Sequence, residues 1–429
     1  MHKLMKRTLP AAISLMLLGG FHNAHALVNV QCPGDDGSNG GIAGDAVIDD
    51  PTTPANVKCM HLTAGDSFAI MSDTNPLYTF GFGDRTGTDP ANVIADGILS
   101  SEWSGPTIVL DEGDEFYLNL SNVGTVIRPD LFDPHTIHWH GFPNASTVFD
   151  GVPEVSISIN MGSTLTYYYN VIEPGTYIYH CHVEATEHME MGMLANLYVN
   201  PAQNGTAILN QADGNTYTQF VYNDVDGTTG YDQFKALQLA SFDSVFHDAS
   251  LFVQPLPFAL LEGDYPQING RGYPDTINPA ALPAPVDNSV AVDGYDPGKV
   301  TGTAGEPLTN IDVNGGQTQL LDSGITVAQG EKLLLRLSNV GLDRFWTVTA
   351  PGLKMQLVGT GARHMRGVDG KNVYRTATSF NFGGGETHDV LIDTSNVAPG
   401  TYFLHATELH QMSNKTQFDG GMITEIVVN

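Results

Sequence analysis

The chain is short of cysteine, of positive charge and of long apolar runs. Its 429 residues include three cysteines, and 18 Lys and Arg stand against 47 Asp and Glu, a net charge of −29. A surface this acidic repels nucleic acid and anionic lipid, so neither nucleic acid nor a membrane is expected as a partner. No stretch reaches the roughly 18 apolar residues that a membrane-spanning helix needs. The run Ala11–Gly20 is too short to span, and it lies between Lys3, Lys6 and Arg7 on one side and Ala24-His25-Ala26 on the other. That order reads as a secretory signal over residues 1–26, so a periplasmic or secreted protein is expected. Its removal would leave 15 Lys and Arg against the same 47 acids, a net of −32.

Few cysteines make each one informative. In an oxidising compartment Cys32 and Cys59 are placed to pair across a Gly- and Asp-rich segment, closing a loop that adds about 3–4 kcal/mol. Cys181 is then left over and needs another explanation. The polar segment 27–58 reads as an irregular extension, and its acidic turns fit no standard calcium-loop spacing.

Glycine and proline are plentiful, at 47 and 24 residues, which points to short strands and many turns. Phe116–Leu120, Leu165–Tyr169 and Thr176–Tyr179 have the β-branched and aromatic content of strands. The chain also repeats itself. Gly113-Asp-Glu-Phe-Tyr-Leu-Asn-Leu-Ser-Asn-Val-Gly124 returns as Gly330-Glu-Lys-Leu-Leu-Leu-Arg-Leu-Ser-Asn-Val-Gly341, and Pro174-Gly-Thr-Tyr-Ile-Tyr-His180 returns as Pro399-Gly-Thr-Tyr-Phe-Leu-His405. The offsets are 217 and 225 residues, so the fold class is all-β with a duplicated sandwich. The first domain is expected over 59–200 and the second over 201–429, with a connector at about 202–230.

Beyond residue 26 there are twelve histidines, six of them between 135 and 188. They fall in two clusters, His135-Thr-Ile-His138-Trp-His140-Gly141 and His180-Cys181-His182, the latter followed by His188 and Met193. Clusters this dense, with a cysteine and a methionine, point to metal. Zinc gains nothing from a thioether. One thiolate, two imidazoles and a weak axial methionine form the blue-copper set, which assigns His135, Cys181, His188 and Met193 to type 1 copper. In extended strands His138 and His140 share a face, as do His180 and His182, while Cys181 faces the other way. Two sites therefore sit on opposite sides of one strand. Met189 and Met191 alternate with Met193 and read as loop packing rather than as a cuprous site.

These motifs resemble the multicopper oxidase superfamily of cupredoxins. His135-Thr-Ile-His138-Trp-His140-Gly141 is similar to its H-P-x-H-x-H-G motif, and the segment from His180 to Met193 to its H-C-H-x3-H-x3-G-M motif. The resemblance implies two tandem Greek-key cupredoxin domains. It implies His138 as a type 2 copper ligand, and His140, His180 and His182 as ligands of a type 3 pair. Two departures stand out. The Cys181-to-His188 spacing is two residues longer than in typical oxidases. The superfamily's trinuclear site also takes four histidines from each of two domains, yet the second domain has no H-x-H. His405 and His410 are its remaining donors, with His388, His364 and His247 reading as ordinary residues. Copper nitrite reductases, also two-domain cupredoxins, would use His140, His180 and His405 for a single type 2 copper, but their catalytic Asp is replaced by His138.

Three functions follow. The first is an oxidase that passes electrons from a small-molecule or protein donor to O₂. The second is a nitrite-reductase-like enzyme. The third is a blue-copper carrier without turnover. The resemblance also implies a homotrimer, in which His405 of one copy faces His138, His140, His180 and His182 of the next.

Overall fold

The computed structural model describes residues 28–252, 255–283 and 317–429. The signal reading at 1–26 lies outside them. Among the described residues no helix is long and apolar enough to cross a membrane.

Residues 28–56 hold one 3-10 turn, Ser38–Gly40, and Cys32 is bonded to Cys59. The first sandwich then runs β1 (Val57–Ile70), β2 (Pro76–Asp84), β3 (Ile108–Asp111), β4 (Glu115–Gly124), β5 (His138–His140), β6 (Thr164–Asn170), β7 (Gly175–His180) and β8 (Leu194–Asn200). One sheet has the order β2-β1-β4-β6 and the other β3-β8-β7-β5. Alternation decides which faces turn inward. Phe116, Leu118 and Leu120 of β4 point into the core with Trp139 and Tyr167. Trp139 lies between two histidines, so its side chain faces away from theirs, and it stacks on Tyr169 at 3.7 Å.

The second sandwich repeats the plan. One sheet carries, in order, Tyr265–Ile268, Gln233–Phe242, Lys332–Asn339, Thr387–Asp393 and Met355–Thr360. The other carries Ile325–Val327, Ile423–Val428, Gly400–Ala406, Trp346–Thr349 and Ser379–Phe382. The repeated sequence blocks occupy equivalent strands, β4 matching Lys332–Asn339 and β7 matching Gly400–Ala406. Between the domains, residues 208–231 form two short hairpin-like strand pairs.

All six residues of β7 are buried, on both faces. Tyr177 and Tyr179 enter the first core, whereas Ile178 joins a separate apolar cluster with Ala240, Phe242, Tyr265 and Val340 of the second domain. Trp103 stacks on Phe242 at 4.3 Å in that seam, an aromatic pair contributing about 0.5–1.5 kcal/mol beyond its buried area. A polar knot lies beside it. Arg336 stands 3.7 Å from Asp389, with both side chains buried, and Thr176 and Tyr222 donate hydrogen bonds to the same carboxylate at 2.5 and 2.6 Å. The strand that ends in the His-Cys-His segment is thus held from both sides.

Candidate metal centre

β7 ends at His180, and the next residue, Cys181, turns its Sγ into the first domain. The Cys181 N–H donates to the Met193 carbonyl at 3.0 Å, and the Met193 N–H donates to the His188 carbonyl at 2.8 Å. These bonds tie the loop 181–193 into a closed unit. The two extra residues in the Cys181-to-His188 spacing are taken up by a helical turn, Ala185–Glu190, which Glu184 enters in the left-handed region at φ 44°. Gly192 makes the return. At φ 116° its backbone approaches β2 so closely that a Cβ would lie 2.7 Å from the Phe80 carbonyl oxygen.

Inside this loop three donors converge. Cys181 Sγ lies 3.3 Å from His188 Nδ1 and 3.9 Å from His135 Nδ1. His135 sits just before β5, held by a pair of backbone bonds to Ile159. All three residues are buried, and Met193 is fully buried in the same core cluster. The Thr136 N–H points at the sulfur from 3.5 Å. Asp133 Oδ2 stands 3.8 Å behind His188 Nε2. Burial alone would push the His188 pKa down, but the Cys181 and Asp133 charges outweigh it and raise it to about 10. Burial and the His188 charge push His135 well down, so its lone pair stays free. One sulfur and two Nδ1 atoms facing one buried point fit a soft, redox-active copper ion.

The second group lies across the strand. β5 pairs antiparallel with β7, placing His138 opposite His180. One donor atom from each of His138, His140 and His180 lies within 4.8 Å of the others. Neighbouring backbone fixes the tautomers. His138 Nδ1 is 2.6 Å from the Asp150 carbonyl and His180 Nδ1 is 2.8 Å from the Cys181 carbonyl, so each ring donates its Nδ1–H to that carbonyl and leaves Nε2 unprotonated. His140 Nδ1 faces His180 Nε2 at 3.3 Å. Burial lowers the His180 pKa to about 3 and also lowers that of His140, which leaves both neutral. The chemistry of this donor set again fits copper. Gly385 of the second domain packs so tightly over His140 that a Cβ there would lie 2.7 Å from Nε2. The His182 ring is 5.2 Å from that of His138 and 5.7 Å from that of His180, as near as the trio's own rings are to one another, although its donor atoms do not join theirs within 4.8 Å.

The histidines of the second domain stand apart from both groups within one chain, among the described residues. His405 is in Gly400–Ala406, with Nδ1 2.7 Å from the Ala406 carbonyl. His410 meets Arg344 and Glu408 at the surface. His364 stacks on Tyr222 and bonds to Tyr374, and His388 is buried in its strand. Asp133, Asp150 and Thr136, which brace the ligands, escape sequence reading because single acids and threonines carry no spacing signal. Asp133, two residues ahead of His135, was the nearest to a hint.

Known proteins bear on this geometry. A segment of 108 residues is 32% identical to the multicopper oxidase MCE of Talaromyces pinophilus, covering 25% of this chain and 16% of that one. A match of 111 residues is 32% identical to L-ascorbate oxidase of Cucurbita pepo var. melopepo, covering 24% of this chain and 18% of that one. The matches thus span less than a fifth of those relatives' length. The fold resembles the crystal structure of blue copper oxidase from Nitrosomonas europaea, with a TM-score of 0.59 at 21% identity, over 87% of this chain and 86% of that one. Family models described as multicopper oxidase match residues 94–204 and 282–429, together more than half of the sequence, and the chain belongs to the multicopper oxidase family.

Proposed function

We propose that this protein is an exported copper-dependent oxidoreductase that takes electrons from a donor at the Cys181 centre and delivers them to O₂ at the histidine cluster. One observation carries the reading. Cys181 has its sulfur in one donor group, while its sequence neighbour His180 belongs to the other. Bound copper would supply one-electron redox chemistry at each place, with His135, Cys181, His188 and Met193 holding the type 1 ion and His138, His140 and His180 a second. Cys181 then links the centres by a few covalent bonds. Asp133, Thr136, Asp150 and the Cys181 carbonyl keep the ligands in fixed orientations, so that little rearrangement accompanies electron transfer. The Cys32–Cys59 disulfide supports an oxidising, periplasmic or secreted location.

Among the described residues the second domain supplies no donor to the cluster within its own chain, which supports a ring of copies in which His405 comes from a neighbour. Three copies around a threefold axis would close such a heterologous contact. A nitrite-reductase-like reaction is the second reading. It is favoured by the register of His405, the repeat-mate of His180.

The test is optical. The oxidised, copper-loaded protein is expected to absorb intensely in the visible, and Cys181→Ser to lose that band together with donor oxidation. A fully loaded protein lacking the band would refute the assignment of Cys181. Sedimentation is expected to give a trimer, and a strict monomer would remove the interchain part. Steady-state assays with O₂ and with nitrite decide the acceptor.

A further inference from the structure

The two sandwiches carry the same strand pair in the same register, which allows the second domain's contribution to be counted. In the first domain His138 lies opposite His180, Trp139 opposite Tyr179 and His140 opposite Ile178. In the second domain Thr349 lies opposite His405, and Val348 opposite Ala406. His180 and His405 are repeat-mates that bond alike, each through Nδ1 to the carbonyl of the following residue. Aligned on that pair, Thr349 stands in the place of His138. Pro351, two residues further along, stands in the place of His140. The remaining position belongs to Thr407. Its N–H bonds to the Thr347 carbonyl, as the N–H of His182 bonds to the Thr136 hydroxyl. Of four imidazole positions, the second domain keeps one.

No other histidine of that domain makes up the shortfall among the described residues. His388 is buried and bonded to its own strand, and His364 is held by Tyr374. His247 lies in the domain seam, and His410 is engaged by Arg344. We infer that the histidine cluster is a mononuclear copper centre and not the three-copper cluster that the family resemblance implies. The inference rests on the copper reading above and sharpens it.

His138, His140 and His180 already converge on one point, with donor atoms within 4.8 Å of one another. Ligands sharing one ion at about 2 Å lie about 3–4 Å apart, so a small ring movement brings all three onto a single ion. A second and a third ion would have to share His182 and whatever a neighbouring second domain offers. That offer is one imidazole, His405, whichever copy supplies it. The hydroxyls of Thr349 and Thr407 are poor substitutes for imidazole on copper, and Pro351 has no donor.

The experiment is a metal count with a spin count on the full-length, copper-loaded protein. About two coppers per chain are expected, both visible by electron paramagnetic resonance when oxidised, on the donor sets present. The Cys181→Ser variant is expected to keep about one, which reports the histidine cluster independently of the type 1 reading. His182→Ala is expected to leave the count unchanged. Three or more coppers per chain, a spin-silent coupled pair, or a Cys181→Ser protein holding none or about three would overturn the inference. A missing visible band with one copper still at the histidine cluster would instead refute only the Cys181 assignment.

Discussion

His247 of the second domain stands between two carbonyls of the first, with Nδ1 2.5 Å from that of Tyr78 and Nε2 3.1 Å from that of Glu190. Tyr78 is in β2, and Glu190 ends the helical turn that carries His188. Asp243 sharpens the contact. Its side chain caps the helix Ser244–Ser250, and its own N–H donates to Glu190 Oε1 at 2.7 Å. Burial lowers the His247 pKa to about 4, so at neutral pH it has a single N–H, which the shorter contact gives to Tyr78. His247→Phe leaves that carbonyl buried and unpaired, at a cost of about 1–3 kcal/mol. The expected outcome is a lower melting temperature and a shifted visible band, because the loop holding His188 and Met193 loses its outer support. An unchanged spectrum would show that the loop holds its shape alone.

The buried Arg336–Asp389 pair makes a second prediction. Arg336→Met leaves Asp389 charged in the seam with only the hydroxyls of Thr176 and Tyr222. Losing one partner of a buried pair costs about 3–5 kcal/mol. Arg336→Met with Asp389→Leu removes both charges and is expected to recover part of that loss. Denaturant unfolding of the two single variants and the double one measures the coupling, and simple additivity would show that the pair does not act as a unit.

These contacts mark where the sequence stopped being legible. Alternation in β4 exposed its inward face directly, since Phe116, Leu118 and Leu120 are two apart. The H-x-H spacing separated the two donor groups for the same reason. β7 gave no alternation, because both of its faces are buried, and only the second domain explains the outer one. The seam residues Trp103, Phe242 and Arg336 lie far apart in sequence, and no local pattern links them. The longer ligand loop was visible as a count of residues, but the helical turn that absorbs it depends on a left-handed residue at Glu184. The loss of second-domain ligands was legible as missing H-x-H pairs. Which residues replaced them required the strand register that sets Thr349 opposite His405.

The disulfide is expected to matter for stability and little for the metal sites. Cys32 and Cys59 are 27 residues apart, and the bond pins an extension with little regular structure to β1. Cys32→Ser with Cys59→Ser should lower unfolding stability by about 3–4 kcal/mol on the chain-entropy account. The visible band should be unchanged, since Cys181 is elsewhere in the core. Peptide mapping without reductant checks the link, and a bridge involving Cys181 would contradict both the pairing and its role as a ligand.

Asp66 makes stability depend on pH with an unusual sign. It is fully buried in β1, and its Oδ2 accepts hydrogen bonds from the Tyr78 hydroxyl at 2.9 Å and the Ile127 N–H at 2.8 Å, while Oδ1 has no partner. Burial dominates and raises its pKa from 3.8 to about 6. The folded state therefore holds this proton more tightly than the unfolded chain. Its contribution is fully present below about pH 4 and is lost as pH rises through about 6, which is opposite to a salt-bridged aspartate. The linkage is on the order of 2–3 kcal/mol. Asp66→Asn retains an acceptor for both bonds without a charge to bury. Its stability relative to the parent should rise between pH 4 and 7 and level off above that range. Denaturant titrations at several pH values read this directly, and a pH-independent difference between the two proteins would show that Asp66 does not titrate in the fold.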